Sequence, residues 1–276
     1  MGSSERPPVI GFLTDFGLDG AAATCRGVIL SICPDAQIVD ISHTVRKYAV
    51  GDGAFLLRAT LPYLPVGVHI GVVDPGVGTA RTPLVLRVGR GDVLVGPDNG
   101  LLLPAAEALG GAVQARELAN RDLCLPVVSA TFHGRDIFAP VAAHLAAGDA
   151  AFDEVGPYLR LEGLVRLPSP RARATEGVIE TEVTYVDSFG NLRLAGGPDD
   201  LTAAFGALET ARRIRVRIGD LDVGEAAVVP SFGHVADGAI LLYVDSTDDL
   251  ALAVNHGDLA TRTGAASGTR VSLERR

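Results

Sequence analysis

Tryptophan is absent from the 276-residue sequence, and aromatic residues make up only 5% of it. Proteins that bind single-stranded nucleic acid stack the bases on aromatic side chains, so this composition disfavours such a platform. The net charge of −9 argues against a phosphate-backbone partner, which requires a basic surface. The arginine-rich stretch 212–217 alternates as a strand does, which predicts one solvated face carrying Arg213, Arg215 and Arg217. We therefore expect no nucleic-acid partner.

Cysteine is also scarce, with Cys25, Cys33 and Cys124 as its three occurrences and no Cys-x-x-Cys pair. An odd count without metal-ligand spacing predicts small, buried, reduced thiols and a cytoplasmic location. Residues 1–8 contain no apolar signal-peptide region, and no apolar run is long enough to span a bilayer. We therefore expect no membrane partner.

Several catalytic motifs are missing as well. The sequence has no Gly-x-x-x-x-Gly-Lys-Ser/Thr loop, no Gly-x-Gly-x-x-Gly after its first strand and no Gly-x-Ser-x-Gly elbow. It has no His-Glu-x-x-His pair, and its six histidines are scattered. P-loop, classical dinucleotide-binding and α/β-hydrolase chemistry are disfavoured, and neither a metal nor a resident cofactor is expected.

The order of apolar segments predicts two domains. In residues 1–168, strands at 9–13, 37–41 and 68–73 alternate with helices at 21–31 and 50–61, which favours a mostly parallel sheet flanked by helices. Shorter strands at 84–88 and 93–95 and helices at 101–109 and 137–147 follow. A proline- and arginine-containing linker at 167–173 leads to residues 169–276. Their segments, at 178–186, 213–218, 226–229, 239–244, 250–254 and 270–273, are typical of a smaller antiparallel barrel or sandwich.

The stretch 72–81 is the strongest candidate for chemistry. A buried strand ends there at Asp74, and the ends of such strands are where open α/β sheets bind ligands. Gly76 and Gly78 permit a close approach of the backbone, and Arg81 closes the loop with a fixed positive charge. Taken alone, the same stretch is equally compatible with a β-turn that has an aspartate cap and a surface arginine.

Other polar clusters have similar alternatives. Asp15 follows the first strand and could be a turn residue or helix cap. His133, with Arg135 and Asp136, stands where a helix is expected to begin and could be a buried histidine with its hydrogen bonds satisfied. Asp187 and Asn191 are common turn residues in any hairpin.

Five motifs nevertheless occur together and in order: 13–17 (LTDFG), 72–78 (VVDPGVG), 96–100 (GPDNG), 131–136 (TFHGRD) and 187–191 (DSFGN). In these motifs the chain resembles the S-adenosyl-L-methionine (SAM) hydroxide adenosyltransferases, or SAM hydrolases, which are related to the fluorinase and chlorinase. The resemblance implies an N-terminal α/β domain and a C-terminal β-barrel domain. It also implies a homotrimer with each active site where the N-terminal domain of one subunit meets the C-terminal domain of the next.

The resemblance further implies a reaction and its catalytic residues. SAM, a small-molecule substrate rather than a cofactor, would be hydrolysed to adenosine and L-methionine by attack of water on the ribose C5′. Asp74, Arg81 and His133 would surround that water. Arg81 would stabilise hydroxide character, His133 would accept the water proton or orient the water, and Asp74 would hold Arg81 or the water itself.

Eight further positions match substrate contacts of the family. Asp15 is expected to accept from the ribose hydroxyls, Asp187 to face the methionine ammonium, and Asp19 to approach the methionine group. The other positions are expected to meet the methionine end, at Ser246, or the adenine, at Phe189, Asn191, Val254 and Asn255.

Two alternatives to the hydrolase remain. A halide (chloride) adenosyltransferase would share the scaffold, but the halogenases have uncharged residues where this chain has Asp74 and His133. The fluorinase also has a long insertion where this chain has only residues 87–93, and an arginine near the methionine end where this chain has Thr247. A non-catalytic adenosine- or SAM-binding protein would not need a cluster that orients water.

Overall fold

A computed structural model describes residues 6–206 and 212–275. The chain divides into two compact units, Met1–Leu167 and Pro168–Arg276. Among the described residues, no helix is both long and apolar enough to cross a membrane.

Seven strands form the sheet of the first unit: β1 (Val9–Thr14), β2 (Gln37–Ser42), β3 (Val68–Val72), β4 (Pro83–Val88), β5 (Val93–Pro97), β6 (Ala112–Glu117) and β7 (Tyr158–Leu159). Their order across the sheet is β2-β1-β3-β5-β4-β6-β7. The pairings among β2, β1, β3 and β5 are parallel, whereas those that add β4, β6 and β7 are antiparallel. The predicted α/β architecture is confirmed, and the antiparallel strands are confined to one side of the sheet.

Helices cover both faces of this sheet: α1 (Ala21–Ile32), α2 (Val50–Thr60), α3 (Leu103–Ala108) and α4 (Ala139–Ala147). The alternation of β1 explains the two layers, because successive side chains of a strand point to opposite faces. Phe12 packs in the core that contains α1 and α4 residues, whereas Leu13 packs in the core that contains α2 and α3 residues. The two helical layers are thus held by separate apolar clusters.

The ends of β1 and β3 position the candidate site. These strands are parallel neighbours, and Thr14 pairs with Val72 at their last shared position. The Asp15 N–H donates to the Val72 carbonyl at 3.3 Å. The two strand exits that carry Asp15 and Asp74 therefore lie at the same edge of the sheet, as expected for an α/β ligand site.

The described residues of the second unit form eight strands: β8 (Arg173–Thr175), β9 (Val178–Val186), β10 (Leu192–Leu194), β11 (Arg212–Ile218), β12 (Leu221–Val228), β13 (Ile240–Val244), β14 (Leu250–Val254) and β15 (Arg270–Arg275). The order β10-β14-β13-β12-β11-β15-β9 closes on itself because β9 also pairs with β10. The result is a seven-stranded barrel, with β8 added beside β9. The C-terminal barrel that the resemblance implies is therefore confirmed, whereas the strand pattern alone did not distinguish a barrel from a sandwich.

The alternation of β11 confirms the predicted solvated face. Ile214, Val216 and Ile218 are buried in the barrel core, while the arginines between them are exposed. Two short helices, α5 (Pro198–Phe205) and α6 (Leu259–Thr263), complete this unit.

Three expectations require correction. The helix predicted from residue 137 begins at Ala139, after a π-helical segment, Gly134–Phe138. Proline 140 explains this start, because it has no N–H for the carbonyl of Asp136, and the Leu125 N–H donates to that carbonyl instead at 2.9 Å. The predicted linker 167–173 runs into β8 at Arg173. Cys25 and Cys33 are buried as predicted, but Cys124 is partly exposed, and all three thiols are free.

Candidate active site

Two loops of the first unit approach each other at the β3 exit. One carries Asp74 and Arg81, and the other carries His133. Gly78, with φ of +75°, lies so close to the Ala130 carbonyl oxygen that a β-carbon would collide with it. The sequence predicted a close backbone approach at this glycine, and the partner proves to be the loop that leads to His133.

The three residues predicted to be catalytic form one hydrogen-bonded cluster. Arg81 Nε donates to Asp74 Oδ1 at 3.2 Å, and Arg81 Nη2 donates to Asp74 Oδ2. The same Nη2 donates to His133 Nδ1 at 3.1 Å. The Asp74 and Arg81 side chains are only 5% and 7% exposed, so this forked ion pair is largely withdrawn from water.

One nitrogen of the Arg81 guanidinium makes no hydrogen bond to the described part of the chain in this arrangement. Nη1 is buried and has no hydrogen-bonding partner among the described residues. The guanidinium carbon lies 5.3 Å from the centre of the Phe138 ring, which supplies an apolar wall. A buried N–H without an acceptor costs free energy, so the cluster is suited to receive a small oxygen ligand at Nη1.

The contact with Arg81 determines the protonation of His133. An arginine can only donate, so Nδ1 must accept, and the ring proton lies on Nε2. Burial lowers the pKa of His133 from its ordinary value, and the neighbouring Arg81 charge lowers it further, against the opposing effect of Asp74. A neutral imidazole therefore prevails near pH 7, with its lone pair occupied by Arg81 and an Nε2–H available to donate.

Arg135 and Asp136 do not join this cluster. Burial alone would raise the pKa of Asp136, but hydrogen bonds from Arg135 and from the Ser129 N–H lower it below its usual range. Asp136 Oδ2 accepts from Ser129 N at 2.8 Å and from Arg135 Nη2 at 3.0 Å. Of the predicted His133 group, only the histidine reaches Arg81, and its neighbours hold the loop in place.

The 96–100 motif stabilises the chain where it leaves β3. Asn99 Nδ2 donates to the Val73 carbonyl at 2.8 Å, immediately before Asp74, and Asn99 Oδ1 accepts from the Leu101 N–H at 3.2 Å. The motif gave no clue to this role from spacing alone, because the contact joins residues that are 26 positions apart.

Asp15 has a neighbour that the sequence did not reveal. Its Oδ2 accepts from the Tyr48 N–H at 3.0 Å. Tyr48 has φ of +66°, which is strained for a residue with a side chain, and its ring is 70% exposed. Such strain arises from tertiary contacts, so only the structure identifies Tyr48. Asp19, which was predicted to approach the substrate, follows Asp15 closely in the sequence and is exposed to solvent.

In the second unit, Asp187 and Asn191 belong to a single turn. Asp187 Oδ1 accepts from the N–H groups of Phe189 and Asn191 at 2.9 and 3.0 Å, and Oδ2 accepts from Asn191 Nδ2 at 2.8 Å. The Asp187 carboxylate therefore orients the Asn191 amide, whose oxygen remains an acceptor. Phe189, at the tip of the turn, is 75% exposed, as a residue that stacks on a ligand would be.

The remaining predicted contacts lie on the β13–β14 hairpin. Val244 pairs with Leu250 and Ile240 pairs with Val254, so the turn that carries Ser246 and the end that carries Val254 are opposite ends of the hairpin. Ser246 is exposed, whereas Asn255 is buried and donates from Nδ2 to the Val235 carbonyl at 2.9 Å. The structure therefore does not group Ser246 with Asn255.

Beside Ser246, Thr247 lies in a charged network. Arg193 pairs with Asp245, and its Nη1 donates to Thr247 Oγ1 at 3.1 Å. An arginine thus reaches the turn from β10, although the residue directly after Ser246 in the sequence is Thr247 and not an arginine. Within the described part of the chain, no group of three or more His, Cys, Asp and Glu side chains is arranged to hold a metal ion.

Comparisons with known proteins identify relatives of this chain. Residues 10–156 match the model of the SAM hydroxide adenosyltransferase N-terminal domain, and residues 181–272 match that of the C-terminal domain. An (R)-S-adenosyl-L-methionine hydrolase from Salinispora tropica is 47% identical over 267 residues, covering 96% of this chain and 97% of that protein. A fluorinase from an Actinoplanes species is 30% identical, covering 96% of this chain and 97% of its own. The crystal structure of an uncharacterized conserved protein from Thermotoga maritima has a TM-score of 0.88 at 37% identity, with 96% of this chain and 100% of that chain covered.

Proposed function

Because the chain belongs to the SAM hydroxide adenosyltransferase family, we propose that it hydrolyses S-adenosyl-L-methionine to adenosine and L-methionine. In this reaction the oxygen of water forms a bond to the ribose C5′ while the C5′–S bond breaks. The bonding electron pair remains on sulfur, the sulfonium becomes the neutral thioether of methionine, and one water proton is released. The leaving group needs no proton, so the enzyme has chiefly to hold an oxygen nucleophile in line with the C5′–S bond.

The observation that carries this proposal is the buried, unpaired Nη1 of Arg81. A water or hydroxide oxygen bound there would accept a charge-assisted hydrogen bond, which stabilises developing hydroxide character. Asp74 holds the guanidinium by its two-point contact. We assign His133 an orienting role rather than that of the base, because its Nδ1 lone pair is occupied by Arg81 and its Nε2 already carries a proton.

The substrate contacts stay those predicted from the motifs. Asp15, held through Oδ2 by the Tyr48 N–H, keeps acceptor capacity for the ribose hydroxyls. Tyr48 is added to the proposed contacts because its backbone N–H donates to that carboxylate and the residue is exposed. Asp19 and Ser246 are proposed at the methionine group, together with Asp187. Adenine is proposed to contact a set in the second unit: Phe189, Asn191, Val254 and Asn255.

We further propose the homotrimeric assembly of the family, in which one subunit supplies Arg81 and its neighbour supplies Asn191. The separation of the predicted residues between two units, each with its own core, supports this arrangement. A cytoplasmic location is proposed from the three free thiols.

The names of the relatives support a proposal about the stereochemistry of the substrate. The hydrolases from Salinispora and Thermus are named for (R)-S-adenosyl-L-methionine. Since the L prefix already fixes the α-carbon, the (R) descriptor refers to the sulfonium sulfur. We propose that this chain also prefers the (R)-sulfonium epimer.

Turnover in oxygen-18 water, with and without chloride, tests the reaction. Each sulfonium epimer of SAM is supplied separately to the wild type, to His133→Ala and to His144→Ala as a matched control on α4. We expect label in the adenosine 5′-hydroxyl with the (R) epimer, the same label with the control, and strongly reduced turnover with His133→Ala. A chlorinated nucleoside would instead establish halide transfer, and bound but unchanged SAM would establish a binding protein.

A further inference from the structure

A chain of hydrogen bonds extends behind Asp15 into the first unit. Thr14 Oγ1 lies 2.9 Å from His43 Nδ1, and His43 Nε2 lies 3.1 Å from Asp40 Oδ1. Asp40 in turn pairs with Arg26 of α1. At the other end, the Phe16 N–H donates to Thr14 Oγ1 at 3.2 Å. The residue that precedes Asp15 and the residue that follows it are therefore both tied to His43.

Each link in this chain has a defined direction. The Asp40 carboxylate accepts, so His43 Nε2 carries the ring proton and Nδ1 accepts from the Thr14 hydroxyl. The Thr14 oxygen is then free to accept the Phe16 N–H. The His43 side chain is only 14% exposed, and its ring meets Phe12 edge-on at 4.8 Å, so it has little freedom to adopt another orientation.

The loop that carries His43 also contacts the Asp15 turn directly. The His43 carbonyl accepts from the Gly17 N–H at 2.7 Å, and five residues later the Tyr48 N–H donates to Asp15 Oδ2 at 3.0 Å. The turn 14–17 and the loop 43–48 therefore form one hydrogen-bonded unit with the Asp15 carboxylate inside it.

We infer that His43 is a positioning residue for the nucleoside: through Thr14 it fixes the turn so that the Asp15 carboxylate meets both ribose hydroxyls at once. The inference rests on the proposed function, in which Asp15 binds the ribose. The terminal torsion of an aspartate is broad, and gripping two adjacent hydroxyls requires one orientation of the carboxylate plane. A preorganised turn removes the free-energy cost of finding that orientation on binding.

Two pairs of variants separate the hydrogen bond between His43 and Thr14 from the other contacts of His43. His43→Asn keeps an oxygen at the position of Nδ1, which still accepts from Thr14, whereas His43→Gln keeps only a donor at the position of Nε2. Thr14→Ser retains the hydroxyl, and Thr14→Val removes it with little change of shape. His144→Gln, a change in another His–Asp pair of the first unit, is the matched control.

The measurement is the affinity of each variant for adenosine and for 2′,3′-dideoxyadenosine, together with SAM turnover. We expect His43→Gln and Thr14→Val to bind adenosine about tenfold more weakly, because a loss of this size corresponds to one hydrogen bond. Their affinity for 2′,3′-dideoxyadenosine should change little. His43→Asn, Thr14→Ser and His144→Gln should stay near the wild type. In SAM hydrolysis the two damaging variants should raise KM and leave kcat within about twofold.

Equal weakening of both nucleosides would show a merely structural role and overturn the inference, and so would unchanged affinities in both damaging variants. If the wild type hydrolyses SAM and prefers adenosine, but the damaging variants show equal weakening or unchanged affinities, only the proposed role of His43 is refuted. A wild type that neither hydrolyses SAM nor distinguishes the two nucleosides refutes the proposed function, and the inference with it.

Discussion

At the residue scale, Arg81 is the centre of the candidate site because a guanidinium can serve three partners in one plane. Its fork contacts Asp74 through two nitrogens, its Nη2 also reaches His133, and its Nη1 remains for a ligand. A lysine has the same charge but only one nitrogen, so it cannot reproduce this geometry.

We predict that Arg81→Lys lowers kcat about a hundredfold or more, the usual effect of losing a donor to a developing oxyanion, with a smaller change in KM. Steady-state kinetics with SAM provide the measurement. Arg160→Lys, at a side chain that is 84% exposed, is the control and should be close to wild type. An Arg81→Lys variant with normal kcat would show that charge alone suffices and that the fork geometry has no catalytic role.

His133 leads to a prediction about pH. Its pKa is lowered first by burial and then by Arg81, so the neutral form persists when the pH falls below the usual histidine range. Protonation would place a second donor against Arg81 and break the contact. We therefore expect kcat/KM to be flat through neutral pH and to fall only when the pH drops below the ordinary pKa of histidine.

The pH profile of His133→Asn is the matched comparison. Asparagine keeps an acceptor for Arg81 but does not titrate in this range. We expect a lower plateau without the acid limb assigned to His133. If the same acid limb persists in this variant, another group is responsible for it.

The sequence predicted the members of this residue cluster but not its details. The motifs identified Asp74, Arg81 and His133, and the structure places them in contact. The tautomer of His133 could not be predicted because it depends on a contact between residues 52 positions apart. Tyr48 was missed because its positive φ is imposed by neighbouring loops rather than by its residue type.

At the scale of secondary-structure elements, a second buried network holds the ends of the parallel strands that lie away from the candidate site. Asp92, which is fully buried before β5, accepts from His69 Nε2 of β3 at 3.0 Å, and His69 Nδ1 accepts from the Gly11 N–H of β1 at 3.0 Å. Arg90 donates to both oxygens of Asp92 at 2.8 Å. Three neighbouring strands are thereby joined through one carboxylate.

We predict that Asp92→Asn destabilises the protein by about 3 kcal/mol near neutral pH, because it breaks a buried charge pair and leaves its donors mismatched. Burial alone would raise the pKa of Asp92, but the hydrogen bonds from Arg90, His69 and the Gly67 N–H outweigh burial and lower it. A lowered pKa means that the stabilisation is complete above the unfolded-state value, about 4, and is lost as the pH falls further.

Urea denaturation of wild type and Asp92→Asn, followed by circular dichroism, checks this prediction. The difference in unfolding free energy should be constant above about pH 4 and shrink as the pH falls further. Asp153→Asn, at a side chain that is 68% exposed, is the control and should change stability by less than about 1 kcal/mol. A difference that is independent of pH would show that the Asp92 charge is not the stabilising element.

Elements with a clear apolar run or alternation were predictable from sequence, whereas several elements without such a pattern were not. Strands such as β3 and β9 show clear apolar runs or alternation, and their predicted and observed ranges agree closely. β10 has only three residues and α6 only five, too few to show a period. β6 mixes apolar with charged residues, and its pairing with β4 decides its structure.

At the scale of the whole molecule, the proposed catalytic residues and the proposed adenine-binding residues belong to different compact units. Each unit has its own apolar core. In the first unit the core forms two layers around the sheet, and in the second it fills the closed barrel. The change of pattern predicted both architectures but did not distinguish a barrel from a sandwich. The motif resemblance implied the barrel, and the β9–β10 pairing confirms it.

The proposed trimer predicts complementation between inactive variants. Arg81→Gln alters the first unit and Asn191→Ala alters the second, and each alone should be nearly inactive. Co-expression should restore about a quarter of wild-type activity, because random assembly at a heterologous interface pairs the two intact units in one site of four. Light scattering should give three times the chain mass. If co-expression restores no activity while trimers form, the sites are complete within single chains.

The π-helical segment before α4 has a consequence for how such a chain can change by insertion and deletion. A π turn contains about one residue more than an α turn, and here Pro140 and the Leu125 N–H accommodate it. Removing one residue of this segment would turn His133 by about 100° relative to α4. The histidine would then leave Arg81. A deletion of one residue, rather than any substitution, would then separate an active member of this family from an inactive one.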